Sequence, residues 1–571
     1  MMRFTNAKER IQVKPADRDI VQRLQNDLNV PFGIAYILAG RNLRTFDECK
    51  AFFRPDCSSF YDPFLFKDME AAVDRISAAI KNKEKIFVYG DYDVDGVTST
   101  AVMVRCLRTL GADCDYYLPN RLKDGYGVSE AGIKHIAESG ATLMVTVDCG
   151  ITAINEIVLA KKMGIDCIIT DHHEPKEILP SADALINPKI DGANYPDKNL
   201  AGVGVALKVC QALAIRTCYG EELWKPVLDL VSLGTAADIV PMVGENRIIA
   251  RLGFAMLSNS GHAGLRELIS QQGLAGKPIS TSQVVFQIAP CINAVGRLGD
   301  PRRGVELLLT NDSEKAKVYA NDLRGANTER RSLDSAVAEE AAQWVYDNCD
   351  MEEDFAIVIG KPHWHVGVIG IVASKLVEKF HRPSILLSIG ADGIAKGSGR
   401  SIPGLHLLNA LNGCSGVLES FGGHAAAAGM SCKRENIDTF REQFNAMVKK
   451  MLTPEDLLPL IEADAEISLS EISPKFFRII KEMEPFGPGN MRPVLFSKGL
   501  QHKTEPRLVG NNHIKMMLTG DGITMDAIGF NMGDRFKEVK GAGNLALAFS
   551  LDENEWNGRV NLQMKIKGFS V

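Results

Sequence analysis

Three carboxylates stand at alternate positions in Asp91-Tyr92-Asp93-Val94-Asp95-Gly96, directly after the apolar run KIFVYG (85–90). Charges that close repel one another unless a cation sits among them. The loop therefore reads as a metal-ligand cluster, with a solvated acidic turn as the plainer alternative. It is not an EF-hand, because that loop closes on a bidentate Glu and the matching position here is Val102. Asp148 ends a second apolar run, TLMVTV (142–147), where a helix N-cap is an equal reading. A third run, DCIIT (166–170), opens into Asp171-His172-His173-Glu174. Adjacent imidazoles point in different directions, so one can ligate a metal while the other meets substrate, with Asp171 orienting a ring from behind. Asp238 closes Gly234-Thr235-Ala236-Ala237-Asp238 inside an apolar helical run, and a helix-end cap is its bland reading. Jointly these residues make an oxygen-rich donor set with few nitrogens, which suits Mn2+ or Mg2+ better than structural zinc. Two such ions roughly 3.5–4 Å apart activate a water and stabilise a phosphoryl-transfer transition state.

The elements that must position these groups follow from the hydropathy pattern. Short β-branched runs at 85–90, 114–119, 142–147, 166–170 and 183–187 alternate with helix-like segments at 97–110, 129–138 and 152–163. That rhythm predicts βαβ units and a parallel sheet. Ligands of open α/β sheets bind at the carboxyl ends of the strands, so acids distant in sequence should converge on one edge. Residues 1–80 read as a helical lead-in. Helix-like blocks cover 201–219, 225–237 and 247–257, a looser Gly/Ser/Gln stretch covers 258–284, and one or two long helices cover 313–346. A second α/β region begins at FAIVIG (355–360). The alternating runs and Gly/Asn turns of the last segment suggest a small β-barrel. The expected division is 1–80, 81–258 with the acids, 259–350 as a connecting region, 351–452, and 453–571.

Composition narrows the class. Of the 571 residues, 45% are hydrophobic and 24% charged, which excludes a largely disordered or collagen-like chain. A net charge of −6 excludes a molecule-wide basic field but not a local basic groove, and residues 492–571 are net basic where the remainder is acidic. The 12 cysteines show no CxxC spacing, against a zinc ribbon or redox motif and in favour of a reduced, cytoplasmic chain. The first twenty residues lack the apolar stretch of an export signal, and no run is long and apolar enough to span a membrane. No GxxxxGK[ST] is present. Gly202-Val203-Gly204 lacks the third glycine of a dinucleotide fingerprint, position 207 being Leu.

The four acidic motifs, in this order, resemble the DHH phosphoesterase superfamily. Ser398-Gly399-Arg400-Ser401 and Gly422-Gly423-His424-Ala425-Ala426-Ala427-Ala428-Gly429 resemble its DHHA1 partner domain. The DPFLFKDMEAA, PNRLKDGYG, INAVGR and EPFGPGN runs are similar to the superfamily's bacterial branch of single-strand-specific 5′→3′ DNA exonucleases, and the likeness extends from about residue 20 to the end. The resemblance implies an α/β multidomain chain: a parallel-sheet DHH domain, long connecting helices, a smaller α/β DHHA1 domain and a C-terminal OB-like barrel. It implies a two-metal phosphodiester hydrolase with Mn2+ or Mg2+, acting on single-stranded DNA in repair and recombination.

The same resemblance carries roles onto matching positions. Asp93, Asp95, Asp148, His172 and Asp238 would be metal ligands, with Asp148 as the bridge. Some members carry a ligating His where this chain has Tyr89, so Asp91 would supply the missing ligand. His173 would contact the scissile phosphate, with Asp171 behind it. Arg121, Arg297, Ser398, Arg400 and His424 would hold the terminal phosphate, as Arg forks do well. An interdomain salt bridge is the alternative for Arg297, and a satisfied core position for His424. Phe530, Phe536, Phe549 and Trp556 are available to stack bases, although most are expected in the core. Implied partners are a single-strand-binding protein and a helicase, and the implied state is a monomer. Two other functions compete: a phosphodiesterase for short oligonucleotides or cyclic dinucleotides, and a non-catalytic binding relative. The long β-tail argues against the first and the intact acids against the second.

Overall fold

The computed structural model describes residues 9–120, 127–192, 194–556 and 559–571. They gather into two compact units. One comprises Asp47–Thr328 with Met483–Arg492. The other comprises the chain up to Phe46, Glu329–Glu482 and Pro493–Val571.

The first unit is built on a five-stranded parallel sheet in the order Asp113–Tyr117, Lys85–Gly90, Leu143–Val147, Asp166–Thr170, Ala184–Ile186. Its inner strands read as nearly continuous apolar runs because both faces are covered, whereas the edge strand Asp113–Tyr117 carries exposed acids. Ile86, Val88, Val145 and Ile168 face the helices Val94–Thr109 and Gly202–Arg216, while Phe87, Tyr89, Met144 and Ile169 face Glu130–Glu138 and Ile154–Lys162. Burying a side chain of this size contributes about 2 kcal/mol. Register does the positioning. Gly90 lies opposite Val147, and Val147 opposite Thr170. The next residues in the chain are Asp91, Asp148 and Asp171, so the three acids leave the sheet at one level. The helices Leu228–Ala237 and Gly244–Leu257 pack nearby, joined by a short connection that starts at Asp238. The stretch expected to be loose, 258–284, instead contains the helix Ala263–Gln271, whose buried Leu265, Leu268 and Ile269 form an apolar stripe. Flanking glycines obscured it in the sequence.

In the second unit a five-stranded mixed sheet runs Ser420–Gly423, Ala427–Lys433, Ile394–Arg400, Ser384–Ile389, Ile357–Lys361. The C-terminal segment is a closed five-stranded barrel of Leu495–Val509, His513–Gly520, Ile523–Gly529, Arg559–Ser570 and Leu545–Trp556, closed by pairing of the first with the last of these. Closure removes the exposed edges of the sheet. The lead-in holds the helices Arg18–Leu28, Phe32–Gly40, Phe46–Phe53 and Met69–Asn82, but it opens with a strand rather than a helix. Arg10–Val13 pairs in parallel with Leu460–Ala463. Residues 313–346 form one helix, Ser313–Asn348, of 36 residues. No helix among the described residues is long and apolar enough to cross a membrane.

Candidate metal centre

Each acid reaches the end of the parallel sheet by a separate local device. Asp93 is the N-cap of Val94–Thr109, its Oδ1 accepting the Gly96 amide at 3.0 Å, a placement that satisfies one of the helix's unpaired donors. Asp95 lies in the first turn and is buried. Its two oxygens accept the amides of Gly202 (2.7 Å) and Val203 (2.8 Å), so the start of the Gly202–Arg216 helix fixes the carboxylate. Asp148 adopts the left-handed conformation, φ 60°, which Asp tolerates better than most residues. A Cβ on Gly202 would lie 2.4 Å from Asp148 Oδ1, so that close approach requires glycine. Asp238 follows the last turn of Leu228–Ala237, and its Oδ2 lies 3.6 Å from His172 Nε2.

The side chains converge. Asp91, Asp93 and Asp148 bring one oxygen each within 4.8 Å of one another. So do the ligand atoms of Asp95, His172 and Asp238, and those of Asp148, His172 and His173. Asp148 thus belongs to both ends of the cluster. Its Oδ1 and His172 Nε2 are buried, 3.2 Å apart, and neither has a hydrogen-bond partner. Two buried lone-pair donors facing each other are costly unless a cation satisfies both. The carboxylates carry the same signature. Burial first, then repulsion by neighbouring acids, pushes Asp91 up to about 8, Asp95 to about 7, Asp238 to about 9, and Asp148 well above the usual range. A hard divalent cation fits this donor set, and the carboxylates would be ionised around it.

The adjacent histidines are driven apart. Burial lowers His172 to about 4, which leaves its ring neutral with a lone pair to offer. Burial also pulls on His173, but the hydrogen bond and charge of Asp171 outweigh it and raise the ring to about 9. Asp171 is the hub of the turn. Its Oδ1 accepts His173 Nδ1 (2.7 Å) and the amides of His172 (2.7 Å) and His173 (3.1 Å), while its Oδ2 accepts Ile151 N (2.9 Å). Those bonds overcome the effect of its burial and keep its carboxyl below the usual range.

Residues 85–235 match the family model of the DHH family, N-terminal domain, residues 353–450 that of the DHHA1 domain, and residues 463–568 that of the RecJ OB domain. The single-stranded-DNA-specific exonuclease RecJ of Bacillus subtilis (strain 168) is 39% identical over 567 residues, 99% of this chain and 71% of that one. The chain belongs to the RecJ family. RecJ from Thermus thermophilus in complex with Mn2+ matches the structure with a TM-score of 0.84 at 27% identity, over 100% of this chain and 80% of that one. The same protein's Mg2+ complex matches at 0.78 and 26%, over 98% and 78%.

Other expected site residues of this RecJ-family chain fall as follows. Tyr89 points away from the acids. It is buried against the Glu130–Glu138 helix, its hydroxyl 3.2 Å from Gly127 O and accepting the Ser129 amide at 3.1 Å, whereas Asp91 is within the cluster. Arg297 lies in the last turn of Ala289–Leu298. That helix packs on the acidic loop: a Cβ on Gly296 would lie 2.6 Å from Tyr92 O, and Asn293 Oδ1 accepts the Val94 amide at 3.1 Å. Ser398 and Arg400 share a strand, with Arg400 Nη1 donating to Ser398 Oγ at 3.0 Å. A Cβ on Gly370 would lie 2.9 Å from Ser398 Oγ and 3.1 Å from Arg400 Nη2, so the close approach of both side chains to that backbone requires glycine. His424 is exposed in the turn before Ala427–Lys433, which overturns the core alternative. Arg121 lies outside the described residues. Of the barrel aromatics, Phe549 is core and Phe530 is half exposed with Lys565 5.9 Å from its ring centroid. Sequence reasoning gave no role to Asn293, Gly202 or Gly370, although Asn293 lies in the INAVGR run and Gly202 in the failed dinucleotide motif.

Proposed function

We propose that the chain is a divalent-metal-dependent exonuclease that hydrolyses single-stranded DNA from its 5′ end, in DNA repair and recombination, as a cytoplasmic monomer. The observation that carries this reading is the pair of unpartnered buried donors, Asp148 Oδ1 and His172 Nε2, inside a ring of carboxylates. Asp91, Asp93 and Asp148 would hold one Mn2+ or Mg2+, and Asp95, Asp148, His172 and Asp238 the other. When bound, such ions supply a low-pKa water and neutralise charge building on a phosphoryl group.

The chain's own side chains do the rest. Asp171 orients His173 and keeps its ring protonated near neutral pH, so Nε2 can donate to a phosphate oxygen or pass a proton to the leaving oxygen. The neutral ring of His172 stays available as a ligand. Arg121, Arg297, Ser398, Arg400 and His424 would bind the terminal phosphate, and the Arg400 guanidinium beside the Ser398 hydroxyl supplies donors suited to an anion. The closed barrel, net basic in its sequence, would carry the rest of the strand. A single-strand-binding protein and a helicase are the proposed partners. The domain division at 80, 258, 350 and 452 remains part of this reading.

The test is a substrate panel with Mn2+: 5′-labelled single strand, 3′-labelled single strand, matched duplex and dinucleotide. Early release of labelled mononucleotide from the 5′-labelled single strand, with the duplex intact, is the expected result. Turnover of dinucleotide with long strands untouched would sink the exonuclease reading and move the chain to the short-oligonucleotide phosphodiesterases.

A further inference from the structure

The segment Met483–Arg492 lies in sequence between the helix Pro474–Glu482 and the barrel, yet it is part of the unit that carries the acids. One side chain anchors it. Buried Arg247 donates from Nη1 to Met483 O (2.9 Å) and Pro485 O (3.3 Å), from Nη2 to Glu484 O (3.2 Å), and from Nε to Phe52 O (3.1 Å). Its guanidinium also lies 3.8 Å from the Phe52 ring centroid. Asn490 Nδ2 closes the segment on itself by donating to Met483 O and Pro485 O. The segment then meets the connection that follows Asp238. Met242 N donates to Pro488 O at 2.6 Å, and a Cβ on Gly487 would lie 3.1 Å from Met242 Cβ.

That connection needs outside support. Ile239, the residue after Asp238, is held at φ 62° and is 61% exposed. A β-branched residue in the left-handed region is disfavoured and persists only when its surroundings fix it. Its own packing does not, so the hydrogen bonds on either side of it must. Asn246, fully buried, completes the link. Its Nδ2 donates to Pro241 O (3.1 Å) and Asn199 O (2.5 Å), and its Oδ1 accepts the Ala201 amide (3.3 Å). The next two amides, Gly202 and Val203, are those that hold Asp95.

We infer that Arg247, Asn246 and the segment Met483–Arg492 are positioning elements of the metal centre, which set the Asp238 and Asp95 carboxylates at the spacing a divalent cation needs. The inference rests on the metal-centre reading above. Groups one contact removed from metal ligands typically change affinity by about 10–100-fold when lost, and these elements act from further out, so a smaller loss is expected of them.

The experiment measures Mn2+ affinity of the full chain, from the electron paramagnetic resonance signal of free Mn2+, and the thermal midpoint by calorimetry. The variants are Arg247→Met, Gly487→Val, Asp148→Asn and Arg382→Met. Arg382 is the matched control: a buried guanidinium that also donates to backbone carbonyls (Asp354, His381, Leu457 and Met351), in the other unit. Arg247→Met and Gly487→Val should each weaken Mn2+ binding by about threefold or more, below the loss typical of groups that touch a ligand. Arg382→Met should lower the midpoint and leave Mn2+ affinity at the wild-type value. Wild-type affinity in Gly487→Val, or equal loss of affinity in Arg382→Met, overturns the inference. Gly487→Val carries the test alone if Arg247→Met does not fold. If Asp148→Asn keeps full Mn2+ affinity, the metal-centre reading itself fails. If Asp148→Asn loses it while Arg247→Met and Gly487→Val do not, only the positioning role fails.

Discussion

Two neighbouring imidazoles, one neutral and one cationic, define the chemistry at the scale of single residues. The split comes from their partners. His172 is buried among lone pairs, while His173 has Asp171 on its Nδ1. Replacing Asp171 with Asn removes the largest influence that lifts His173 above its ordinary 6.5, leaving only the charges of Asp238 and Asp95 against burial. In the native chain His173 stays protonated until pH rises through about 9. In Asp171→Asn the proton should be lost at lower pH than in the native chain, so the alkaline limb of the pH–rate profile should move down. An unchanged limb would show that His173 does not carry the proton that matters. The sequence exposed these residues because acids and imidazoles directly after apolar runs are conspicuous. The family resemblance gave His172 to the metal and His173 to the phosphate, but the residues alone could not show their charge states, which depend on burial and on Asp171 Oδ1 reaching His173 Nδ1. The Tyr89 position was legible as a departure from the family's pattern, but its direction, away from the acids and onto Ser129, is a matter of packing.

At the scale of elements, the parallel sheet was legible because strands buried on both faces leave unbroken apolar runs. The level register of Gly90, Val147 and Thr170 then follows from strand pairing. Helix starts were less legible. Gly202 reads as half of a failed dinucleotide motif, whereas in the structure its missing Cβ makes room for Asp148 and its amide binds Asp95. Gly202→Ala would place a methyl 2.4 Å from Asp148 Oδ1 and 2.7 Å from Asp148 Cβ. The expected outcome is a folded chain with activity reduced about 100-fold, measured beside circular dichroism to show that the helix persists. Wild-type activity would mean that Asp148 has freedom the packing denies. The helix Ala263–Gln271 escaped sequence reading because nine residues bounded by glycines give little periodic signal.

Pairings between distant parts of the chain were the least legible, since local pattern carries no information about them. Arg10–Val13 finds Leu460–Ala463, and Glu9 holds the barrel from outside. Glu9 accepts Arg535 Nη1 on both oxygens, at 2.6 and 2.7 Å, and the Phe569 amide at 2.9 Å. Both side chains of that ion pair are about nine-tenths buried. Arg535 keeps its ion pair with Glu538, so Glu9→Ala should destabilise the unit that contains the barrel by about 2 kcal/mol, the size of a lost charged hydrogen bond, read as a lower urea midpoint with Mn2+ affinity unchanged. A neutral effect would make the N-terminal pairing incidental. The chain's acidic balance with a basic last segment leads to one more expectation. Single-strand affinity should fall as salt rises, with a log–log slope of about −0.7 per phosphate contacted, measured by fluorescence anisotropy; a flat dependence would remove the barrel as an electrostatic groove.

The most direct test of the central claim is one titration. The rate of 5′-mononucleotide release from a labelled single strand is followed as Mn2+ is added from zero, for the native chain and for Asp148→Asn. The account predicts no release without metal, a saturable rise in the native chain, and a rate lower by on the order of a thousandfold in Asp148→Asn at every Mn2+ concentration. Equal curves for the two proteins, or full activity in the presence of a strong chelator, would contradict it.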